Sequence, residues 1–229
     1  MPERTTPLAG RTALLAGATS RSGLVAAERL SAAGARVIAV GRDHARLEDL
    51  AAAVPGVRVE VADLGSEESV DALAARLRAD GVRIDGLLHL VGGWRGGGGL
   101  AGQSDEDYRA LELSLTALRH VSRAFDEDLR DSPAGREAIV SSTAVERPLA
   151  GGANYAAVKA AGETWARAVG QGFAKAARDA GAPQTAASVI FRVTALAGRE
   201  SALADSFVGL WSAEAAGING RIVDLSGGD

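Results

Sequence analysis

Residues 11–40 read RTALLAGATSRSGLVAAERLSAAGARVIAV, in which four local patterns follow one another. The stretch starts with a short apolar run, typical of a buried strand, and continues into the glycine-rich run GATSRSG at residues 17–23. Residues 24–33 show a helical pattern that ends before a glycine, and residues 36–40 form a second apolar run. This order predicts a βαβ unit in which N–H groups at the helix N-terminus bind a phosphate.

The same alternation of apolar runs and helical patterns continues along the chain. Strands are predicted over residues 11–16, 36–40, 57–61, 85–91, 138–140, 186–191 and 221–225. Helices are predicted over residues 24–33, 43–53, 66–79, 105–129, 155–180 and 201–213. Seven strands that alternate with six helices predict an α/β fold, a Rossmann-like, doubly wound, seven-stranded parallel sheet flanked by helices. No linker or repeat is visible, so residues 1–229 are expected to form a single nucleotide-binding domain.

The composition argues against several classes of protein. The chain has 229 residues, 47% of them hydrophobic, and a formal net charge of −4. No apolar run reaches the roughly 18 residues that a membrane span needs, and residues 1–4 lack the apolar core of a signal peptide. The absence of cysteine excludes disulfides and thiolate metal sites. Mild acidity argues against a nucleic acid partner, so we expect a cytoplasmic protein with neither a nucleic acid nor a membrane partner.

Tyr155 and Lys159 lie four residues apart in an Ala-rich, helical run, so both side chains are expected on one helix face. An ammonium beside a phenol favours the phenolate and lowers a tyrosine pKa from its reference value of about 10. Ser142, at the end of an apolar run thirteen residues before Tyr155, would add a hydroxyl. These three groups predict a site that polarises and protonates a carbonyl oxygen, although an exposed helix pair without chemistry is the alternative.

The order of these motifs resembles the short-chain dehydrogenase/reductase family, and the ending INGRIVDLSGG at residues 218–228 is similar to the family's last strand and terminal glycines. The resemblance implies catalytic roles for Ser142, Tyr155 and Lys159, and it aligns Ser114 with the asparagine of the family's proton relay. It also implies a cofactor site made of Gly17, Thr19, Ser20, Arg21, Gly23, Arg42, Asp63, Leu64, Val91, Gly92, Tyr155 and Lys159.

Several positions depart from the family's pattern. Arg21 replaces the middle glycine of the turn, which requires either a different turn shape or a strained backbone. Ser114 has a shorter side chain than the family's asparagine. His89 stands in the sequence HLVG after the fourth strand, as a buried structural residue or as a contact to the cofactor. Phe191 and Arg192 replace a Pro-Gly pair after the sixth strand.

The end of the second predicted strand indicates which nicotinamide cofactor the chain prefers. An acidic residue there hydrogen-bonds the NAD ribose, whereas a nearby arginine accommodates the 2′-phosphate of NADP. Here the strand ends at Gly41 and Arg42 follows, with Arg21 as a second guanidinium. The sequence therefore favours NADP (NADPH) and makes NAD less favoured. The counter-argument is that the Asp43 side chain could turn back and hydrogen-bond the ribose, which would favour NAD.

The resemblance implies an NADPH-dependent reductase of a ketone or aldehyde, or the reverse oxidation of an alcohol, acting on a small-molecule carbonyl substrate. Two alternatives stay open: a nucleotide-binding sensor or scaffold that has lost turnover, and a dehydratase or epimerase on the same fold. The sequence does not identify the substrate, but Trp94 and the glycines at residues 96–99 are expected to border its site.

A homodimer or homotetramer is also expected, because the two long predicted helices carry more apolar surface than one sheet face covers. The apolar residues that suggest this are Ala156, Ala160, Trp165 and Phe173. The alternative is that Trp165 and Phe173 pack inward on the sheet.

Overall fold

The structure, a computed structural model, describes residues 7–227. Within them the strands are β1 (Thr12–Ala16), β2 (Arg36–Gly41), β3 (Arg58–Val61), β4 (Gly86–His89), β5 (Arg136–Ser142), β6 (Ala187–Val193) and β7 (Ile222–Asp224). The helices are α1 (Arg21–Ala32), α2 (His44–Ala53), α3 (Glu67–Ala79), α4 (Asp105–Ala124), α5 (Asp126–Asp131), α6 (Ala153–Asp179), α7 (Glu200–Gly209) and α8 (Ala215–Ile218). Residues 1–4, which are expected to lack the apolar core of a signal peptide, lie outside the described residues. The terminal glycine at residue 228 lies outside them as well.

The strands form one parallel sheet in the order β3-β2-β1-β4-β5-β6-β7. Parallel neighbours need crossover connections, which the helices supply. The strand order reverses between β1 and β4, and ligands bind at such a reversal, outside the carboxyl ends of the strands. The predicted Rossmann-like, doubly wound fold is confirmed, and the crevice lies above β1 and β4.

Apolar side chains fill both faces of the sheet. On one face, α1, α2 and α7 contribute Ala26, Leu30, Leu47, Leu203 and Phe207 to a buried cluster. On the other face, α3, α4 and α6 contribute Val70, Leu73, Val121 and Phe173. Because both faces are covered, β1, β4 and β6 are buried along their whole length, as is usual for parallel sheets. No helix within residues 7–227 is long and apolar enough to cross a membrane.

The long helix predicted over residues 105–129 is in fact two helices. α4 ends at Ala124, and α5 begins at Asp126. Phe125 between them has φ −111° and ψ 8°, and its ring is fully buried. The chain turns there to bury the ring, and Asp128 of α5 then accepts hydrogen bonds from Arg78 and Arg83. The apolar periodicity runs across this break, so the sequence alone does not show it.

Two other predicted boundaries were also wrong. The helix expected over residues 201–213 stops at Gly209 and gives way to a 3-10 turn at Leu210–Ser212, where Trp211 packs edge-on against Phe207 with ring centroids 5.2 Å apart. β5 extends well beyond the predicted residues 138–140, because its ends are polar but buried. Apolar patterning cannot reveal polar residues that the surrounding fold buries.

Candidate active site

Ser142, Tyr155 and Lys159 all line one cleft of about 920 Å³ at the carboxyl end of the sheet. Ser142 is the last residue of β5, and its Oγ accepts a hydrogen bond from the Ala144 N–H at 3.2 Å. Tyr155 lies in the first turn of α6, and Lys159 follows one turn later with Nζ 5.8 Å from the centre of the Tyr155 ring. The structure therefore brings the three predicted catalytic side chains to the same wall of the cleft.

The Lys159 side chain is partly buried, and its ammonium lies at the wall of the cleft. Its Nζ donates to the Val140 carbonyl at 2.8 Å, which fixes the side chain between α6 and β5. A Cβ built on Gly92 would lie 3.5 Å from the same Nζ, so the chain after β4 passes close by. Burial lowers the pKa of Lys159 to about 8, because water stabilises an ammonium better than the protein interior does.

The glycine turn after β1 fits tightly against its surroundings. Gly17 has φ +90°, and a Cβ there would lie 2.8 Å from Val91 Cγ2. A Cβ on Gly23, within α1, would lie 2.0 Å from the Ala18 carbonyl oxygen. Ser20 caps α1 by accepting from the Gly23 N–H at 3.3 Å. Only glycine fits at both positions, so the turn closes directly onto the N-terminus of α1, the arrangement that suits a pyrophosphate.

Arg21 does not strain this turn. It is the first residue of α1, and no non-glycine residue in the described part of the chain has a positive φ. Of the two alternatives that the sequence left open, a strained backbone at Arg21 is therefore excluded. Arg21 Nε lies 3.7 Å from Glu200 Oε1 of α7, so the structure gives this guanidinium a partner on α7. Its contact with a phosphate stays a prediction.

A side chain at the end of β2 would require Thr19 to move. A Cβ on Gly41 would lie 2.6 Å from Thr19 Cγ2. Arg42 is exposed, and within residues 7–227 it has no ion-pair partner. The Asp43 carboxylate already has two partners: it accepts a hydrogen bond from the Arg46 N–H, which caps α2, and it pairs with the Arg46 side chain at 3.3 Å. This arrangement weakens the argument that Asp43 turns back to a ribose.

Asp63 and Leu64 follow β3 and lie beside the turn that leads into α3. Asp63 is exposed, and its Oδ1 accepts from the Gly65 N–H at 2.9 Å. Leu64 is buried, and its carbonyl lies 3.1 Å from His120 Nδ1. Val91 and Gly92, in contrast, line the cleft directly. An adenine contact at Asp63 and Leu64 stays a prediction.

The glycine-rich loop at residues 96–99 is tied to the far side of the cleft. Gln103 Nε2 donates to the carbonyls of Gly97, Gly99 and Gly151, and the Gly97 N–H donates to Gly151 at 2.7 Å. Gly97, with Trp94, also lines the cleft, as the sequence predicted. Nothing in the sequence indicated Gln103, because no motif marks a side chain whose partners are backbone carbonyls, one of them 48 residues away at Gly151.

The sequence model of the family described as short chain dehydrogenase matches residues 11–177, which contain the glycine turn and all three catalytic candidates. The chain belongs to the short-chain dehydrogenase family. This confirms the resemblance stated from the motifs, and the match covers well over half of the chain.

Curated relatives of this family member are moderately similar to it. The 2,3-dihydro-2,3-dihydroxybenzoate dehydrogenase of Bacillus subtilis is 28% identical over 166 residues, which make up 70% of this chain and 63% of that protein. The 3-oxoacyl-(acyl-carrier-protein) reductase of Haemophilus influenzae is 28% identical over 155 residues, 66% of this chain and 63% of that protein. The matched region thus spans less than two thirds of the length of these relatives.

A solved structure confirms the fold of this short-chain dehydrogenase family member. The short chain dehydrogenase from Shigella flexneri complexed with NADP aligns over 97% of this chain and 99% of its own, with a TM-score of 0.84. The two sequences are 20% identical, so the agreement concerns the fold.

His89 and Ser114, two of the departures from the family's pattern, contact each other. His89 Nε2 lies 3.0 Å from the Ser114 carbonyl oxygen. Because a carbonyl only accepts, Nε2 carries the proton. Burial first, and the Lys159 charge second, lower the pKa of His89 to about 3, so its ring is neutral near pH 7. The Ser114 hydroxyl donates to the Leu111 carbonyl at 2.7 Å, within α4. The sequence left two alternatives for His89, a buried structural residue or a contact to the cofactor, and the structure shows that the side chain is buried.

A buried charge network lies directly behind Ser142. Arg192 of β6 donates through Nε and Nη2 to the two carboxylate oxygens of Glu163 at 2.7 and 2.8 Å, and also contacts Glu146. Ser141 donates to Glu163 at 2.8 Å. Burial alone raises the pKa of Glu163, but the hydrogen bonds from Arg192 and Ser141 outweigh it and hold that pKa below its usual range. The network joins β5, β6 and α6 at Ser141, the residue next to Ser142.

Within residues 7–227, no group of three or more histidine, cysteine, aspartate or glutamate side chains is arranged to hold a metal ion.

Proposed function

We propose that the protein is an NADPH-dependent reductase that transfers a hydride to a ketone or aldehyde, or that oxidises an alcohol in the reverse direction. One observation carries the proposal: Tyr155 and Lys159 line the cleft one helical turn apart, beside Ser142 at the end of β5. The two curated relatives are a dehydrogenase and a reductase, which agrees with redox chemistry in either direction.

The residues present fit a nicotinamide cofactor. Gly17 and Gly23 leave no room for side chains in the turn above α1, and Gly92 leaves the Lys159 ammonium open to the cleft. The turn would hold the pyrophosphate on α1 backbone N–H groups, and Lys159 would contact the nicotinamide ribose. The chemistry that the bound cofactor supplies is a hydride for the carbonyl carbon.

Tyr155 acts as the general acid in this proposal. As the carbonyl carbon gains a hydride, its oxygen gains negative charge, and the Tyr155 phenol donates its proton to that oxygen. The positive charge of Lys159 stabilises the phenolate that remains. In the reverse direction the phenolate takes the proton back from the alcohol.

Ser142 orients the substrate oxygen. Its Oγ already accepts a hydrogen bond from the Ala144 N–H, so the hydroxyl proton is free to be donated into the cleft. A donor fixed in this way stabilises the charge that develops on the carbonyl oxygen. The Glu163–Arg192 network packs beneath β5 and limits movement of the strand that carries Ser142.

The preference for NADPH rests on the end of β2. Thr19 occupies the space where an acidic side chain on residue 41 would start, and Arg42 is exposed with no ion-pair partner in the described part of the chain. A guanidinium matches a phosphate with two parallel hydrogen bonds. Asp43 caps α2 and pairs with Arg46, so in this proposal it does not hydrogen-bond the ribose.

The test is a turnover assay that follows NADPH absorbance with a panel of ketones and aldehydes, run beside calorimetric binding of NADPH. Oxidation of NADPH that depends on a carbonyl compound supports the proposal. NADPH binding without turnover on any member of the panel would instead support the sensor or scaffold alternative. Loss of water or inversion of a stereocentre without net NADPH consumption would support the dehydratase or epimerase alternative.

A further inference from the structure

An arginine without a protein partner lies in the wall of the cleft. Arg147 belongs to the segment that joins Ser142 to Tyr155, and it lines the cleft together with both of them. Its side chain is exposed, and within residues 7–227 it makes neither a hydrogen bond nor an ion pair. The acid that precedes it, Glu146, pairs with Arg192 instead. The five N–H donors of the Arg147 guanidinium are therefore unused by the described part of the chain.

The charged residues that line the cleft are Arg147 and Lys159, and both are cations. No aspartate or glutamate is among the lining residues, although the whole chain has a formal net charge of −4. A cleft lined by charge of one sign concentrates ligands of the opposite sign. The Lys159 ammonium already donates to the Val140 carbonyl and lies beside the Tyr155 ring. Arg147 is thus the cation that remains for an anionic group in the cleft.

The phosphates of the proposed cofactor do not account for Arg147. In the proposed function the pyrophosphate lies at the N-terminus of α1, and the 2′-phosphate lies beside Arg42 after β2. In the sheet, β4 separates β1 and β2 from β5. Arg147 follows β5, on the segment between the two side chains, Ser142 and Tyr155, that would contact the substrate oxygen. An anion bound by Arg147 is therefore expected to belong to the substrate.

Two large apolar side chains also line the cleft while they are exposed to solvent. Leu149 is 78% exposed, and Trp94 is 66% exposed. Exposed apolar side chains that are bordered by polar groups mark ligand-binding grooves. The loops that carry them are tied together, because the Gly151 carbonyl accepts hydrogen bonds from the Gly97 N–H at 2.7 Å and from Gln103 Nε2 at 3.0 Å. This apolar wall is a defined surface that suits the carbon skeleton of a substrate.

We propose that the substrate is an oxo acid, a ketone or aldehyde whose carboxylate is bound by Arg147 and whose apolar body packs on Trp94 and Leu149. A guanidinium binds a carboxylate through two parallel hydrogen bonds, which fix its orientation as well as adding affinity. The carboxylate is not altered by the reaction, and its position determines which end of the substrate reaches Tyr155. This inference rests on the proposed function of the cleft, and it makes Arg147 a specificity-determining residue.

The test compares two probes that differ in one charge, 4-(hydroxymethyl)benzoate and 4-(hydroxymethyl)benzamide. Each probe is an alcohol, so it forms a complex with the NADPH-loaded protein in which no hydride is transferred. Calorimetry measures the dissociation constants of both probes, with and without NADPH, for wild type, Arg147→Ala, Arg147→Lys and Arg221→Ala. Arg221 serves as the control, because it is exposed and precedes β7, at the end of the sheet opposite the cleft. Because Arg147 is exposed and unpaired in the described structure, its replacement should leave the fold intact.

We expect wild type and Arg221→Ala to bind the benzoate about tenfold more tightly than the benzamide, the scale of one charge-assisted hydrogen bond. Arg147→Ala should lose this preference. Arg147→Lys keeps the charge but not the planar fork, so it should keep part of the preference. NADPH affinity should be the same in all four proteins.

Equal binding of the two probes by wild type, no binding of the benzoate, or a preference that survives Arg147→Ala would overturn the inference. A loss of NADPH affinity in Arg147→Ala would also overturn it, because the arginine would then bind the cofactor. The titrations without NADPH separate this test from that of the proposed function, since they measure the preference even if the protein neither binds nor oxidises NADPH. Conversely, turnover of uncharged ketones by a protein without the preference would refute the inference alone.

Discussion

The ionisation of the buried Glu137 should lower the stability of the fold. This side chain is fully buried in β5, and burial raises its pKa to about 7 from an ordinary 4.5. A raised folded-state pKa means that the carboxyl group holds its proton in the fold but not in the unfolded chain between about pH 4.5 and 7. Its stabilising contribution is therefore complete below pH 4.5 and is lost as the pH rises through about 7.

Glu137→Gln should remove this pH dependence. The wild type is expected to lose on the order of 3 kcal/mol of unfolding free energy between pH 4.5 and 8 through this group, and the variant should not. Urea unfolding at a series of pH values measures the difference. Glu28→Gln, on the exposed face of α1, changes the charge equally and serves as the control. Parallel pH profiles for wild type and Glu137→Gln would show that the carboxylate is accommodated in its charged form.

Arg42 should determine the choice between NADPH and NADH. A charge-assisted hydrogen bond is worth about 1.5–3 kcal/mol, so Arg42→Ala should weaken NADPH binding by about tenfold or more and leave NADH binding nearly unchanged. Isothermal titration calorimetry with both cofactors measures this. Arg36→Ala, exposed at the opposite end of the same strand, is the matched control. Tighter binding of NADH than of NADPH by the wild type would contradict the cofactor proposal.

At the scale of secondary-structure elements, β5, β6 and α6 depend on the pair formed by Arg192 and Glu163. Both side chains are buried, and they share two hydrogen bonds. Without Arg192, the buried Glu163 carboxylate keeps only its bonds from Ser141 and from the more exposed Arg167. Breaking a buried ion pair costs about 3–5 kcal/mol. Arg192→Met should therefore destabilise strongly, whereas Arg192→Met combined with Glu163→Leu should recover much of the loss. Denaturant unfolding of the two variants tests this, and equal stability of both would refute it.

The oligomer expected from α4 and α6 stays a prediction, but two of the four residues that suggested it, Trp165 and Phe173, make contacts within the protein. Phe173 is buried in the core, and Trp165 Nε1 donates to Ser122 Oγ at 2.7 Å. The exposed apolar side chains of α4 are Tyr108 and Leu113. We expect light scattering at micromolar concentration to show a homodimer or homotetramer, and a monomer would contradict the expectation.

Sequence periodicity predicted which elements exist better than where they end. The strand–helix alternation and the parallel sheet followed from apolar runs. The break at Phe125 depends on a ring that only the assembled core buries, and the length of β5 depends on Arg136 and Glu137, polar residues buried by their neighbours. Local sequence carries no information about such tertiary burial, so these boundaries could not be predicted.

At the scale of the whole molecule, some features of the candidate site could be predicted from the sequence and others could not. The Tyr155–Lys159 spacing and the glycine turn can be recognised in the sequence, because residues close together in the chain form them. The His89–Ser114 contact and the steric block of Gly41 by Thr19 arise between elements far apart in the chain. Only the three-dimensional arrangement reveals them.

The measurement that tests the proposed reaction most directly is the turnover of Tyr155→Phe with NADPH and a carbonyl substrate accepted by the wild type. Phenylalanine keeps the ring in place and removes only the proton donor. We expect the rate to fall by at least about 100-fold, the lower end of what a positioned general acid contributes, with NADPH affinity nearly unchanged. A Tyr155→Phe enzyme that keeps more than a few per cent of the wild-type rate would contradict the assignment.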